Sequence, residues 1–547
     1  MALDLTPDQK AQGKKNFETT TADLSRRGFM KSMVAGAAVV PVSAAVYFGY
    51  QSWKGNKPVR TALIGCGDEG GVLIGDHNPE FNEFVAVCDV RPYNLDRIYT
   101  GEPQGPRKGL NRIYGKQSAG KIAKYDDYKK MLADVSKHGI EAVVIATPLI
   151  LHHQMVKDCM DAGLHVLCEK LMARTITQCK DMIATAKAKK LLLSVGHQRH
   201  YSTLYAHARE VVDSGILGDI KHIRALWHRN NSWRYNPAGE KEPIAQGFDI
   251  PYYRDGWCKP IYKKDADKLT PELVKAAGFD NLEQLCRWRL FDKTGGGLMA
   301  ELGSHQLDAS SIFLGNVHPL AVSGVGGKFF YGPGRNDRES DDGVFVTYEF
   351  PGKNHPKAGK GGKDETDIVV VTYTSFNTNS FESYGECLMG NRGTMIVEKE
   401  ADVFLYKEPE PGKKDSGGKD TLVTISTGGG GKPAMEATST WGGAGAAAVV
   451  KQAGAADWDT PVRGYRTEME HFAYCVRKWD KSLGWEKKDG KYVQDTPRCD
   501  GEVAMADAIL ALTANMAMAK KERIVFEDAW FKPESADAPE DKHGKRA

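Results

Sequence analysis

Three side chains that can handle protons lie close together in the segment GGGLMAELGSHQLD, which ends at Asp308. Glu301, His305 and Asp308 are four and three residues apart, so a continuous helix would place them on one face. A histidine flanked by acids suits a general base, because carboxylates orient the imidazole and tune its basicity. The alternative is a solvated helix face without chemistry, and the glycines before the helix favour the catalytic interpretation.

A cation ends an apolar run in the first half of the chain. Lys170 closes LHVLCEK, which has the composition of a buried strand, and open α/β sheets bind ligands at the carboxyl ends of their strands. A lysine there could hold an alcohol oxygen and stabilise a developing alkoxide. Glu169 points to the other side of the strand and is expected to brace a neighbouring loop. The competing interpretation is a surface lysine with no role beyond solubility.

A glycine-rich turn precedes both groups. The stretch VRTALIGCGDEGG predicts a strand, a tight turn at Gly65, Gly67 and Gly70, and then a helix. Asp89 ends the next predicted strand, where a carboxylate would bind ribose hydroxyls. This pattern predicts a bound nicotinamide dinucleotide. Asp89 favours NAD over NADP because it would repel a 2′-phosphate, whereas Arg91 could pair with one and leaves NADP possible.

The elements that must position these residues fall into two domains. Strands alternate with helices over 58–196, which predicts a doubly wound parallel sheet of Rossmann type. Runs such as KHIRALWHRN and IVVVTYTSF alternate polar with apolar residues, which predicts a larger α/β domain with an open, mainly antiparallel sheet. The remaining predicted boundaries are a twin-arginine signal or anchor with a linker at 1–57, the second domain at 197–496 with Gly-rich insertions near 351–367 and 409–454, a helix packing back on the body at 497–532, and a charged, disordered tail at 533–547.

Composition excludes several classes of protein. The chain has 547 residues and a net charge of +3, which gives no electrostatic basis for binding nucleic acid. Its ten cysteines form no C-x-x-C pair, and several lie in apolar runs. They are therefore predicted to be buried thiols and not a disulfide framework or a zinc site.

The N-terminus carries a targeting pattern. Paired arginines, an aromatic residue and a lysine from Ser25 to Lys31 precede an apolar stretch that runs to Tyr50. This order is similar to a twin-arginine export signal, and it predicts passage through that machinery in a folded state and a location outside the cytoplasm. Val42-Ser43-Ala44 could be a cleavage site, or the stretch could remain as an anchor. A chance basic patch before a short membrane helix is the alternative.

Together these motifs resemble the Gfo/Idh/MocA oxidoreductases, a superfamily that acts mostly on sugars and cyclitols. The segments that carry the resemblance are GCGDEGG, CDVRP, ATPLILHH, CEKLMA, GHQRHYSTLY and GGGLMAELGSHQLD. The resemblance implies a Rossmann domain followed by a larger domain whose open sheet supports the substrate site and makes a homo-oligomer. It places a dinucleotide beside Thr147, Pro148 and His152 and beside Glu169 and Lys170.

Two positions depart from the family pattern. Leu171 replaces the proline of the family's E-K-P motif, so the backbone geometry there could differ. Glu301 stands where the family has aspartate in D-x-G-x-H, while His305 is retained. The expected catalytic residues are Lys170, His305 and Glu301. The substrate-side residues are predicted to be Arg199, Tyr201, His228, Asn231, Trp233 and Asp308.

Three functions remain open. The leading hypothesis is an exported NAD(P)-dependent oxidoreductase of a carbohydrate or cyclitol that keeps its nicotinamide and regenerates it with a second substrate. The second is a glycosidase or lyase that acts through transient oxidation and recycles its NAD. The third is a non-catalytic dinucleotide- or sugar-binding protein. No metal is predicted, since Glu301, His305 and Asp308 lack a further donor set of familiar spacing.

Overall fold

The computed structural model describes residues 5–32, 44–50, 53, 56–230, 255–332, 338–359, 361–408, 422–427, 433–438 and 463–544. Asn231 and Trp233, two of the predicted substrate-side residues, lie outside the described residues. So do most of the Gly-rich insertion near 409–454 and residues 33–43 of the apolar N-terminal stretch.

The first sheet has six strands, all parallel, in the order β3-β2-β1-β4-β5-β6. The strands are β1 (Val59–Ile64), β2 (Asn82–Cys88), β3 (Ala123–Tyr125), β4 (Ala142–Ile145), β5 (His165–Glu169) and β6 (Leu193–Gly196). Strands β4, β5 and β6 are buried on both faces, as expected of a sheet covered by helices on both sides. The strand order reverses between β1 and β4, which is where doubly wound folds bind their ligand.

The second sheet has eight strands in the order β13-β12-β11-β7-β10-β9-β8-β18. These strands are β7 (Ile220–His228), β8 (Ala321–Gly327), β9 (Gly343–Pro351), β10 (Ile368–Phe376), β11 (Tyr384–Gly390), β12 (Gly393–Glu398), β13 (Asp402–Lys407) and β18 (Ile524–Val525). Two short hairpins add β14 (Leu422–Thr427) with β15 (Pro433–Thr438), and β16 (Lys487–Lys488) with β17 (Lys491–Tyr492). Strands β7 and β10 are parallel and the other pairs are antiparallel, so the predicted fold class is confirmed.

Helices join and cover the two sheets. They are α1 (Pro7–Ser32), α2 (Ala44–Tyr47), α3 (Asp68–Asp76), α4 (Pro92–Thr100), α5 (Leu110–Tyr114), α6 (Lys116–Ala119), α7 (Tyr128–Ala133), α8 (Val135–His138), α9 (His152–Asp161), α10 (Ile176–Lys189), α11 (Thr203–Asp213), α12 (Lys263–Lys268), α13 (Pro271–Ala276), α14 (Leu282–Cys286), α15 (Ser304–Leu314), α16 (Tyr465–Lys478), α17 (Gly501–Lys520) and α18 (Pro539–His543).

Two late helices join the domains. Helix α16 was predicted within the second domain, but its apolar face, which includes Met469 and Phe472, packs with β1 and β2 of the first sheet. Helix α17 is capped by the Asp500 carboxylate, and it is buried on all sides between α10, α15 and β8. Among the described residues it is the one helix long and apolar enough to cross a membrane, and 78 % of its most apolar stretch is buried.

The N-terminal region is part of the fold, although the sequence predicted a linker outside it. In α1, the Asn16 side chain donates to the Leu405 carbonyl of β13 at 2.9 Å, and Lys14 pairs with Asp402 at 2.7 Å. Further along, the buried Trp53 ring stacks on Phe81 with centroids 4.3 Å apart. The twin-arginine segment lies in the last third of α1.

The C-terminal tail is also ordered, where disorder was predicted. Helix α18 lies against the start of α10, and the Glu540 carboxylate accepts hydrogen bonds from the Thr177 backbone nitrogen and hydroxyl, both at 2.8 Å. The Lys180 ammonium donates to the carbonyls of Ser535 and Asp537. All ten cysteines are free and buried, which confirms their predicted role as core thiols.

Candidate active site

The glycine turn after β1 leaves one open side. A Cβ on Gly65, whose φ is +98°, would lie 2.3 Å from the Ala146 carbonyl oxygen, and one on Gly70 would lie 2.0 Å from that of Gly65. A Cβ on Gly67 would have the Asn94 amide 3.9 Å away as its nearest atom. The outer glycines therefore pack the turn, and the middle one faces free space at the start of α3, where a pyrophosphate can approach backbone N–H groups.

Asp89 directly follows β2, beside this turn. Its carboxylate accepts from the Cys66 backbone nitrogen at 2.8 Å, from the Asn94 amide at 3.0 Å and from the Arg91 backbone nitrogen at 2.8 Å. These bonds fix its orientation and leave lone-pair capacity for a ribose hydroxyl. The residues of the turn and of the β2 end thus fit the dinucleotide that the sequence predicts.

Arg91 has a different role from the one predicted. Its Nε donates to the Asp265 carboxylate at 2.8 Å, and the Asp265 side chain is fully buried. Asp265 also accepts from the Tyr93 backbone nitrogen at 3.0 Å, so α12 is joined to the start of α4. Because its charge is already balanced by Asp265, Arg91 is not a free cation for a 2′-phosphate, and the site favours NAD.

Thr147 and Pro148 follow β4 and adjoin the glycine turn, as predicted. His152 lies behind them: one ring nitrogen is 2.9 Å from the Thr147 carbonyl oxygen and the other is 2.9 Å from that of Leu171. The ring is buried, and burial lowers its pKa. His152 therefore positions the turn by joining it to the segment after β5, and it is not itself a surface for the cofactor. The Lys170–Leu171 peptide bond is cis although no proline is present.

Lys170 stands at the carboxyl end of β5, and its Nζ donates to the Glu301 carbonyl oxygen at 2.9 Å. Its neighbour Glu169 points the other way into the core, where a Cβ on Gly196 would lie 2.7 Å from its carboxyl carbon. Burial first, and then the charge of Glu69, raise the pKa of Glu169 well above its usual value. Glu169 is thus a buried acid whose carboxylate accepts from the Lys170 backbone nitrogen and, among the described residues, from no neighbouring loop, and its contact with the cofactor stays a prediction.

The segment around His305 is not one continuous α-helix. A π-helical turn, Met299–Gly303, precedes α15, and the Glu301 carboxylate forms no hydrogen bond with His305. Glu301 instead pairs with Arg289, with 2.6 Å between Oε2 and Nε. Burial alone would raise the pKa of Glu301, but the charges of Arg289 and Lys170 outweigh it and lower the pKa.

Asp308 points away from His305. Its Oδ1 is 2.6 Å from Nε2 of His200, and the side chain is 1 % exposed, so it is not the substrate contact that was predicted. The acid–histidine–acid chain is therefore wrong as a hydrogen-bonded unit. Among the described residues the His305 ring has no hydrogen-bond partner, and its centroid is 5.4 Å from that of Trp227.

The electrostatics of the pocket keep His305 neutral. Burial first, and then the positive charges of Lys170 and Arg199, hold its pKa well below the usual value. His305 is 7 % exposed, so its surroundings are mainly protein. A neutral imidazole beside a lysine ammonium is an arrangement that can remove a proton from a hydroxyl group while the ammonium holds the oxygen.

The remaining substrate-side predictions have different outcomes: Arg199 and Tyr201 are buried, whereas His228 is half-buried and stays a prediction. Arg199 is fully buried and binds Glu386 at 3.0 Å and Glu400 at 2.6 Å, and it also donates to the His305 carbonyl oxygen. Tyr201 is fully buried with its hydroxyl at the Cys499 backbone nitrogen. His228 lies near the Phe381 carbonyl oxygen and the Thr374 hydroxyl, and it stacks on Phe376. Arg199 is therefore a positioning residue for α15, and Tyr201 belongs to the core.

Sequence reasoning missed the side chains that surround His305. Trp227 ends β7 and stacks on Tyr384 with centroids 4.7 Å apart, while the Arg229 guanidinium lies 5.1 Å over the Trp227 ring. Arg289 lies over Trp288 at 4.2 Å and holds Glu301. Trp227 directly precedes His228, one of the predicted substrate-side residues, so its position near a strand end was the available signal. No sequence signal pointed to Arg289, because its partner Glu301 is brought to it by the fold.

Comparison with known proteins agrees with this geometry. Residues 59–197 match the family described as "Oxidoreductase family, NAD-binding Rossmann fold", that is, Gfo/Idh/MocA. Over these residues the chain is similar to that oxidoreductase family. The match covers the six strands of the parallel sheet, the glycine turn and Lys170, and it ends at His197.

Individual relatives extend the comparison. An uncharacterized oxidoreductase of Schizosaccharomyces pombe is 31 % identical over 186 residues, which is 34 % of this chain and 46 % of that protein. A glycosyl hydrolase family 109 protein of Shewanella amazonensis is 27 % identical over 241 residues, 40 % of this chain and 49 % of its own length. The chain thus spans about half the length of the curated relatives that it matches.

A solved structure shares the fold of both domains. The inositol dehydrogenase homologue of Azotobacter vinelandii, in complex with NADH and myo-inositol, superposes with a TM-score of 0.51 at 16 % identity. The superposition covers 86 % of this chain and 98 % of that one. The two-sheet architecture is therefore that of a known dehydrogenase fold.

Proposed function

We propose that the protein is an NAD-dependent oxidoreductase of a sugar or cyclitol. The observation that carries the proposal is the convergence of Lys170 and His305 on Glu301: the ammonium binds its carbonyl oxygen, and the imidazole lies one turn further along. This pair adjoins the glycine turn through β5 and β4, so it lies at the ligand-binding edge of the parallel sheet.

The side chains divide the work of oxidation. When bound, the dinucleotide supplies a hydride acceptor. Lys170 holds the substrate oxygen and stabilises its negative charge as the carbon loses hydride. Neutral His305 accepts the hydroxyl proton, so proton and hydride leave the same C–OH unit and a carbonyl forms. Arg289 keeps the Glu301 carboxylate away from the imidazole, and Arg199 fixes the backbone at His305.

The walls of the pocket fit a sugar. Trp227 and Tyr384 form a stacked aromatic pair, which suits the apolar face of a pyranose or cyclitol ring. The charges are unequal: Lys170, Arg229 and Arg289 face one pocket, and among the described residues only Arg289 pairs with a carboxylate there. A substrate with a carboxylate group would balance this excess.

The first experiment identifies the cofactor and the chemistry together. Mass spectrometry of small molecules released from the denatured full-length protein should show NAD or NADH. A panel of neutral and acidic sugars should then reduce the bound nucleotide, with Lys170→Met and His305→Gln abolishing reduction while nucleotide content is unchanged. Full reduction by both variants would contradict the assignment and favour a binding protein.

A second function is favoured by the similarity to the family 109 glycosyl hydrolase. Oxidation of a glycoside acidifies the neighbouring C–H bond, after which elimination, addition of water and return of the hydride would complete hydrolysis without net change in NAD. Release of an aglycone from a nitrophenyl glycoside, without accumulation of NADH, would establish this reaction in place of simple dehydrogenation.

We also propose that the protein is exported with its cofactor bound. The twin-arginine pattern from Ser25 to Lys31 supports this, and a nicotinamide pool is not maintained outside the cytoplasm. Regeneration by a second substrate then replaces exchange of the cofactor. Cell fractionation of the native producer, with Arg26→Lys and Arg27→Lys together, tests it: the double variant should remain in the cytoplasm, and an unchanged distribution would contradict export by this route.

A further inference from the structure

A second polar cluster lies behind His305, in the sealed core. His197 directly follows β6, Asp308 lies on α15 and Asp507 lies on α17. One nitrogen or oxygen atom from each of the three lies within 4.8 Å of the other two. The three side chains are 0 %, 1 % and 2 % exposed, so water does not reach them from the surface.

Few of the atoms that face one another have a hydrogen-bond partner. Neither ring nitrogen of His197 is bonded, and Oδ2 of Asp308 and Oδ2 of Asp507 lack a partner unless the two carboxyl groups share a proton. The Asp308 oxygen and Nδ1 of His197 are 3.8 Å apart, which is too long for a hydrogen bond. Buried polar atoms without partners are rare in native proteins, because each one loses its hydration and gains nothing in return.

An outer contact holds one of the ligating groups in place. Asp308 is fixed by His200, whose Nε2 lies 2.6 Å from Oδ1 of Asp308, and this leaves Oδ2 facing the cluster.

We propose that His197, Asp308 and Asp507 bind one divalent transition-metal ion of the Zn²⁺ or Mn²⁺ type. One imidazole and two carboxylates form a nitrogen–oxygen ligand set that such ions accept, and His200 supplies the outer contact that orients a ligating carboxylate. The ion would neutralise the two acids, pair the unbonded atoms and join three elements behind the catalytic helix. The site is independent of the proposed oxidoreductase activity.

The sequence shows no sign of this site. The three residues are separated by 111 and 199 positions and belong to no spaced motif. Only the packing of α17 between β6 and α15 brings them together. The site also differs from the set of Glu301, His305 and Asp308 that the sequence made conceivable, since Glu301 is held by Arg289.

Metal analysis of the full-length protein tests the proposal directly. Elemental analysis should find one transition-metal ion per chain, and dialysis against a chelator should remove it and lower the melting temperature. Adding Co²⁺ to the chelated protein should restore the melting temperature and give a visible d–d absorption band of nitrogen and oxygen ligation. Zn²⁺ should displace the Co²⁺ and bleach this band.

Variants locate the ion. His197→Gln and Asp507→Asn should each lose the Co²⁺ band and the bound metal, while His165→Gln, another buried histidine with its own partner at Leu192, should retain both. Metal-free protein that gives no Co²⁺ band and melts unchanged with chelator would overturn the proposal and leave Asp507 protonated against Asp308. If neither variant folds, the metal content, the Co²⁺ band and the melting temperature of the wild-type protein still decide the proposal.

Discussion

Two polar clusters lie along the segment formed by the π-helical turn and α15, and their charges differ. On the front side, Lys170, Arg229 and Arg289 lie near the carboxylate of Glu301. On the rear side, Asp308 and Asp507 meet the neutral His197. The side chains of Arg289 and Glu301 on the front are 27 % and 10 % exposed, whereas the rear cluster is sealed. One short segment thus separates a cluster rich in positive charge from a cluster of carboxylates and a neutral imidazole. His305 lies on this segment, between the two clusters.

This difference explains how a buried histidine can serve as a base. Had the acids flanked His305, as its sequence neighbours suggest, their charge would raise its pKa and hold it protonated. Instead Glu301 is bound by Arg289 and Asp308 by His200, so the imidazole meets mainly positive charge. The front cluster therefore favours the neutral ring, and the rear cluster anchors the helix.

The largest expected effect is the loss of the base. His305→Gln keeps a polar side chain of similar reach but cannot take up a proton at neutral pH. We expect kcat for the confirmed sugar to fall about 10²- to 10⁴-fold, with nucleotide content unchanged. Rapid-mixing measurement of nucleotide reduction gives the rate. A fall below about tenfold would exclude His305 as the base.

The next largest effect is on the free energy of unfolding, through the buried Arg199 that contacts the backbone at His305. Arg199→Met removes the cation that Glu386 and Glu400 share, and leaves two buried carboxylates without it. We expect a loss of about 3–5 kcal/mol in the free energy of unfolding, measured by urea denaturation. The exposed pair Arg523–Glu349 provides the matched control: Arg523→Met should cost under about 1 kcal/mol.

A third prediction sharpens the electrostatic contrast. Positive charge lowers the pKa of His305, so kcat/KM should fall only when the pH drops well below 6.5 and the ring becomes protonated. Arg229→Gln removes one of these charges, which raises the pKa of His305 and moves the acidic limb to higher pH. The pH profile of kcat/KM measures the shift, and a limb that moves to lower pH would contradict the assignment.

The smallest expected effect is on sugar contact. Trp227→Leu removes one ring of the aromatic pair but retains an apolar side chain. A stacking contribution of about 0.5–1.5 kcal/mol corresponds to a KM increase of roughly 2- to 12-fold, with kcat little changed. Phe381→Leu changes an exposed aromatic residue in the turn between β10 and β11, and it should leave both constants unchanged. A loss confined to kcat would show that Trp227 positions His305 and does not contact the sugar.

Local rules were enough to predict the dinucleotide side. Gly65 and Gly70 are glycines because the backbone beside them leaves no room for a Cβ, a constraint visible in a few consecutive residues. The two-domain fold followed from strand and helix periodicity in the same way.

Partners from distant segments could not be predicted. Lys170 does approach the segment that carries His305, as the family motifs implied. Arg289 reaches Glu301, and His200 reaches Asp308, only through tertiary packing. Arg199 and Tyr201 have polar groups that suggested a substrate, yet those groups serve buried protein contacts.

The docking of α1 has a consequence for the order of events during synthesis. Asn16 and its partner Leu405 are separated by 389 residues, so β13 leaves the ribosome long after the helix that it holds. Throughout most of translation the first turns of α1 therefore have no strand to pack against. Helix α1, which bears the paired arginines, can therefore pack against the rest of the protein only late in synthesis, once β13 has been made.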